Sequence, residues 1–230
     1  MTSDTAIRLA VFDCDGTLVD SQHTIVAAMS AAWEAKGLLR PEPEAVRRVV
    51  GVPLIAAIAE LLPEAGADDH VTLSRYYREA FHELRQAPDY HEPLFPGAVE
   101  ALDALEASDF VLGIATGKSR RGLEATLARH GLGGRFVTVQ TSDQGPGKPS
   151  PDMLLRAMAE AGAGPRTTVM IGDTVFDVEM AIAADAFAIG VGWGYHDSEE
   201  LRVAGAAVIV DAFADIPAAA ARLTGRRECP

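Results

Sequence analysis

The sequence predicts an α/β fold, a Rossmann-like parallel sheet core with an inserted all-helical domain. Three observations predict it. Leu9 to Phe12 is a short apolar run without the polar alternation of a half-exposed strand, which suits a strand covered on both faces. From Phe110 onward, further short apolar runs alternate with helical patterns, as parallel strands joined by right-handed crossovers do. Between the two, Val19 to Pro88 shows helical periodicity and no strand signal. A helical block placed between a first strand and later strand–helix units reads as a separate small domain. The expected division is a core of residues 1–18 and 89–230 and a helical domain of residues 19–88.

The elements follow in order. Ile25, Met29 and Trp33 repeat every fourth residue, so they share one apolar helix face that ends near Gly37, with Ser21 placed to cap its start. Pro41 and Pro43 punctuate a turn, and Pro53 opens a helix carrying Leu54, Ile58 and Leu61. Val71, Leu73, Tyr76, Tyr77, Ala80, Phe81 and Leu84 mark a third helix. After the proline cluster 88–96, Val99, Leu102 and Leu105 begin the core helices. Strands are expected at Phe110 to Ala115, Phe136 to Val139, Thr168 to Ile171, Ala186 to Val191 and Ala207 to Val210. Helices are expected at Ser119 to His130, closed by Gly131, then at Pro151 to Ala161, Val175 to Ala184 and Ala214 to Leu223. Gly225 to Pro230 reads as a frayed tail.

Composition limits what such a fold can meet. The formal charge of -13 argues against nucleic acid or an anionic membrane surface as a partner. An anionic substrate would need a local positive cluster to overcome that field. The chain has only three lysines, Lys36, Lys118 and Lys148. Cys14 and Cys229 are too few for a disulfide framework and fit a reducing cytoplasm, with Cys14 acting as a small buried hydrophobe. The first apolar run is too short and too soon broken by Asp13 to be a signal peptide, and no run is long enough to span a bilayer.

Four stretches carry polar groups at strand ends, the edge where open α/β sheets bind ligands. The first is Asp13-Cys-Asp15-Gly-Thr. Side chains alternate along an extended chain, so Asp13 and Asp15 point to one side. Two acids in one crevice call for a divalent cation, or for one of them to hold a proton. The second is Ala115-Thr116-Gly117-Lys118-Ser119, where a hydroxyl, a glycine amide and a helix start favour an anion. The third is Gly147-Lys148-Pro149-Ser150-Pro151-Asp152, whose prolines fix the direction of Lys148. The fourth is Gly172-Asp173 with Asp177 four residues on, on the same face of the following helix. Taken singly, the last three also read as ordinary turns, a solvated lysine and helix caps.

Together and in this order, the four motifs resemble the haloacid dehalogenase superfamily, over nearly the whole chain. Thr-Gly-Lys-Ser-Arg and Gly-Lys-Pro-Ser-Pro-Asp look like its phosphoglycolate phosphatase group. The resemblance implies a helical cap at 19–88 and hydrolysis of a small phosphorylated metabolite through an aspartyl-phosphate. It makes Asp13 the nucleophile and Asp15 the acid and then the base. Mg²⁺ would be held by Asp13, the backbone carbonyl of Asp15 and Asp173, with Asp177 holding metal-bound water or orienting Lys148. Thr116 and the Gly117 amide would grip the phosphoryl oxygens, and Lys148 would offset their charge. Lys118 is read as a surface residue.

Within the superfamily, Asp15 argues against dehalogenation, because a halide leaves without a proton. The only lysine of the cap, Lys36, is explained by its place at a helix C-terminus, which speaks against a Schiff-base phosphonatase. Ile25 stands where sugar phosphomutases carry a histidine, which counts against a mutase. Arg47 and Arg48, expected in a cap loop before Gly51, could meet a substrate carboxylate, with a solvated helix face as the alternative. Two other functions stay open: inorganic pyrophosphate hydrolysis, and a regulator that binds a phosphometabolite without turnover. Oligomeric state is not legible.

Overall fold

The computed structural model describes residues 6–88 and 90–225. The expected tail from 226 onward lies outside the described residues. The chain runs β1 (Ile7–Phe12), α1 (Gln22–Ala35), α2 (Pro43–Arg48), α3 (Leu54–Leu61), α4 (Ala67–Gln86), α5 (Ala98–Ala107), β2 (Phe110–Thr116), α6 (Arg120–Arg129) and β3 (Phe136–Thr141). It continues through α7 (Asp152–Ala161), β4 (Ala163–Gly172), α8 (Val175–Ala183), β5 (Phe187–Val191), α9 (Ser198–Ala204), β6 (Val208–Val210) and α10 (Ile216–Thr224). The strands form one parallel sheet in the order β3-β2-β1-β4-β5-β6.

β1 lies inside this sheet, which explains its unbroken apolar run. Ala10, Phe12 and Cys14 pack on one face with Leu102 and Leu105 of α5, and Leu9 and Val11 pack on the other with Met153 and Leu154 of α7. Helices α1 to α4 bury a cluster of their own, built on Ile25, Met29, Trp33, Val46, Ile58 and Leu73. Val19 does not join them. It is buried with the sheet and bridges Leu94, so outgoing and returning chain cross side by side.

Several expectations change. Ser21 precedes α1, but its hydroxyl makes no cap bond to the helix. Arg47 and Arg48 lie in the last turn of α2 rather than in a loop, because Pro43 starts a helix there. α9 was not expected; it spans only 7 residues, too few for periodicity to mark it. β4 begins at Ala163 instead of Thr168, its extension reaching Ile7 across a register irregularity. No helix among the described residues is long and apolar enough to cross a membrane.

Candidate active site

The carboxyl ends of β1, β2 and β4 and the loop after β3 bring the four motifs to one sheet edge. Phe12 pairs with Ile114 on one side and Ile171 on the other, and the Asp13 amide donates to the Ile171 carbonyl at 2.9 Å. This register sets Asp13 beside Asp173. Gly16 has a φ of +83°, and a Cβ there would lie 2.3 Å from Asp173 Oδ2. Only glycine lets the turn after Asp15 close over that carboxylate.

Asp13 is fully enclosed. Its Oδ1 accepts from the Cys14 amide at 2.6 Å and faces Lys148 Nζ at 2.8 Å, while Oδ2 is buried without a hydrogen-bond partner. Lys148 Nζ also lies 2.6 Å from Asp177 Oδ1. The other oxygen of Asp177 accepts from the Thr174 amide and hydroxyl at 3.1 and 2.7 Å, so Asp177 both caps α8 and faces the lysine. Asp173 is held by the Thr17 hydroxyl at 2.7 Å and the Tyr195 amide at 2.9 Å.

Burial and mutual repulsion disfavour the charged forms of these acids. Burial pushes the Asp13 carboxyl up to about 7; Lys148 pulls it down, and Asp177 and Asp15 raise it further. Burial, then the charges of Asp13 and Asp177, raises Asp173 well above the carboxylate range. Burial alone would lower the Lys148 ammonium, but Asp13 and Asp177 outweigh it and hold it above its ordinary value. Asp13, Asp173 and Asp177 each offer an oxygen within 4.8 Å of the others. Buried carboxylates of this kind, with one oxygen unpartnered, fit a hard divalent cation, which takes oxygen donors. The Asp15 side chain is not among these three.

Asp15 has a separate setting. Its Oδ1 accepts from Ser21 Oγ at 2.6 Å and faces Lys118 Nζ at 2.8 Å. Lys118 Nζ is also 3.6 Å from Glu92 Oε1, and the Glu92 side chain is wholly buried. The surface reading of Lys118 is therefore wrong: two acids and the Phe81 ring, 5.3 Å away, draw its stem inward. The Ser21 hydroxyl donates to the Asp15 carboxylate, and its oxygen accepts no bond from the first turn of α1. Lys118, Ser21, Glu92, Thr17 and Tyr195 were not singled out for this site from the sequence. A clue existed for Lys118, since a lysine at a strand end is conspicuous in so acidic a chain.

Thr116 and Gly117 line the same cavity as Asp13 and Asp15. A Cβ on Gly117 would lie 2.8 Å from the Gly51 carbonyl, so the helical block can approach only because this residue is glycine. Arg47 and Arg48 do not meet there. Arg47 pairs with Glu44 on the surface at 2.6 Å. Arg48 forms a two-pronged pair with Glu200 of α9 at 2.5 and 2.6 Å, and its carbonyl faces His196 Nε2 at 3.0 Å. His196 Nδ1 accepts from the Val175 amide, so Nε2 carries the proton and donates to that carbonyl. The expectation that these arginines face a substrate is corrected: α2 turns them outward and toward α9.

The chain as a whole is similar to known proteins. The family model described as haloacid dehalogenase-like hydrolase matches residues 10–191. The probable phosphatase IndB of Dickeya dadantii is 39% identical over 216 residues, covering 92% of this chain and 93% of that protein. The phosphoglycolate phosphatase of Chromobacterium violaceum is 34% identical over 218 residues, covering 91% and 95%. The crystal structure of a hydrolase from Pseudomonas syringae is 28% identical with a TM-score of 0.81, covering 91% of this chain and 95% of that one. The chain belongs to the haloacid dehalogenase-like hydrolase family, within its phosphoglycolate phosphatase-like group.

Proposed function

We propose that the chain is a Mg²⁺-dependent phosphatase that cleaves a small phosphomonoester through an aspartyl-phosphate on Asp13. The observation that carries this reading is the convergence of Asp13, Asp173, Asp177 and Lys148 beneath a cavity that also holds Asp15 and Thr116. A carboxylate oxygen of Asp13 attacks phosphorus as the bond to the leaving alcohol breaks. Asp15 gives that alkoxide its proton, then takes one from the water that hydrolyses the aspartyl-phosphate. Ser21 and Lys118 both hold Asp15 Oδ1, which leaves Oδ2 to carry the proton. Thr116 and the Gly117 amide hold phosphoryl oxygens, and Lys148 offsets their charge. Asp13, Asp173, Asp177 and the Asp15 carbonyl would hold the cation, which neutralises the buried acids and the phosphoryl group when bound. A divalent cation bound there would add to Lys148 the positive charge that offsets the buried carboxylates around the phosphoryl group. Residues 19–88 act as the cap that closes over the cavity and excludes water. The setting is the cytoplasm, in keeping with the free, buried thiol of Cys14.

A phosphate-metabolite panel assayed with Mg²⁺ and with a chelator tests this reading. Turnover with Mg²⁺ that the chelator abolishes is expected. Comparing phosphoglycolate with pyrophosphate separates monoester from pyrophosphate hydrolysis. Metal binding without turnover across the panel would favour a binding role. Mg²⁺ at about a hundred times its Kd is expected to stabilise the fold by about 2.7 kcal/mol, read as a rise in melting temperature that the chelator reverses.

Lys118→Met is expected to lower kcat/KM roughly ten- to hundred-fold on an alkyl phosphate, part of what general acid catalysis supplies. The loss should be smaller on p-nitrophenyl phosphate, whose aryl oxide departs without a proton. Equal losses on the two substrates would remove Lys118 from the proton-transfer step.

A further inference from the structure

A cavity of about 310 Å³ opens above Asp13 and Asp15. That volume stands at the lower end of the roughly 300–1,000 Å³ that holds drug-sized ligands. Its floor is polar, and one side of its wall is apolar: Met29 of α1, Val46 of α2, Val49, and Tyr77 and Phe81 of α4 line that side, while His82, Ser142 and Asp143 are among the polar groups lining the rest. The Tyr77 and Phe81 rings lie 5.7 Å apart, side by side along one helix. A short hydroxy acid such as glycolate would leave most of this space unfilled.

The cations near the floor are already engaged. Lys148 faces Asp13 and Asp177, and Lys118 faces Asp15 and Glu92. Arg85 donates to the Gly122 carbonyl at 2.9 Å and the Thr126 hydroxyl at 2.6 Å, with Glu92 at 3.8 Å. Arg78 and Arg121 also line the cavity, but both are solvent-exposed and so stand at its rim. A substrate carboxylate packed against Met29, Val49, Tyr77 and Phe81 would lose its water and gain no charge from those four side chains, which is unfavourable. An apolar body in the same place releases water from both surfaces.

Resting on the phosphatase reading above, we propose that the alcohol released from the substrate carries an apolar body the size of a ring, packed against Met29, Val49, Tyr77 and Phe81. The preferred substrates are phosphomonoesters of hydrophobic alcohols, ahead of phosphorylated short hydroxy acids.

The test compares kcat/KM, with Mg²⁺, for benzyl phosphate, ethyl phosphate and phosphoglycolate. All three release unactivated alcohols, so proton demand is similar and the pocket decides the order. Benzyl phosphate is expected to lead both others by about tenfold or more, the low end of what even one methylene decides in a hydrophobic pocket. Phosphoglycolate or ethyl phosphate equal to or ahead of benzyl phosphate would overturn the proposal. Phe81→Ala is expected to shrink the benzyl-to-ethyl ratio and Phe81→Leu to restore part of it; a ratio unmoved in folded Phe81→Ala would also overturn it. Calorimetric binding of benzylphosphonate and phosphonoacetate, neither of which can be hydrolysed, separates the two readings. Tighter benzylphosphonate binding without turnover of any ester would sink the phosphatase reading and support the pocket's preference. Tighter phosphonoacetate binding would sink the preference, whatever the turnover.

Discussion

Asp13→Asn is expected to abolish turnover, lowering kcat by roughly 10⁴-fold or more, the scale on which loss of a catalytic nucleophile acts. The amide oxygen can still accept from the Cys14 amide and from Lys148, so the packing around it is kept. Lys148 retains Asp177 as its charged partner. One buried negative charge disappears from a group in which three carboxylates crowd one another. The melting temperature should therefore move by no more than about 2–4 °C. Steady-state rates on a phosphomonoester, with a thermal melt of the same sample, check both halves. Activity near the parental level would show that another group attacks phosphorus.

Lys148→Met has the second largest expected effect, and it falls on stability as well as rate. Lys148 is a wholly buried ammonium between two wholly buried carboxylates. Removing one partner of such a pair leaves uncompensated charge in the interior, a loss of about 3–5 kcal/mol. For a chain of this size that corresponds to a fall in melting temperature on the order of 10 °C without metal. Added Mg²⁺ should recover a larger share of stability in the variant than in the parent, because the cation becomes the only positive charge facing Asp13 and Asp177. The rate should fall by about 10²–10³, the scale of losing one preorganised electrostatic group. Melting curves with and without Mg²⁺, together with kcat, measure this. A variant with parental stability and parental kcat would place Lys148 outside the charge balance of the site.

The two lysines show where local sequence stops being informative. Lys148 sits between prolines that limit its backbone, and the family resemblance, not the local sequence, set its charge against Asp13. Lys118 follows an ordinary Thr-Gly turn, and a flexible four-carbon stem can reach solvent or the interior equally well from there. What draws it inward is Glu92 from one distant segment and Asp15 from another. Arg48 failed as a reader of substrate for the same reason: its partner Glu200 is 152 residues away and belongs to a helix too short to show periodicity. Met29 reads as core of the helical block, and it is; that it also walls a cavity depends on how the block meets the strand-end loops.

By itself the sequence determined the layered α/β architecture, the helical insertion after the first strand and the four strand-end motifs. These follow from periodicity and turn chemistry, which act between residues a few positions apart. Only the tertiary structure decided which cation faces which acid, which hydroxyl orients Asp15 and what lines the cavity. Those are contacts between residues far apart along the chain, and strand register and helix docking bring them together.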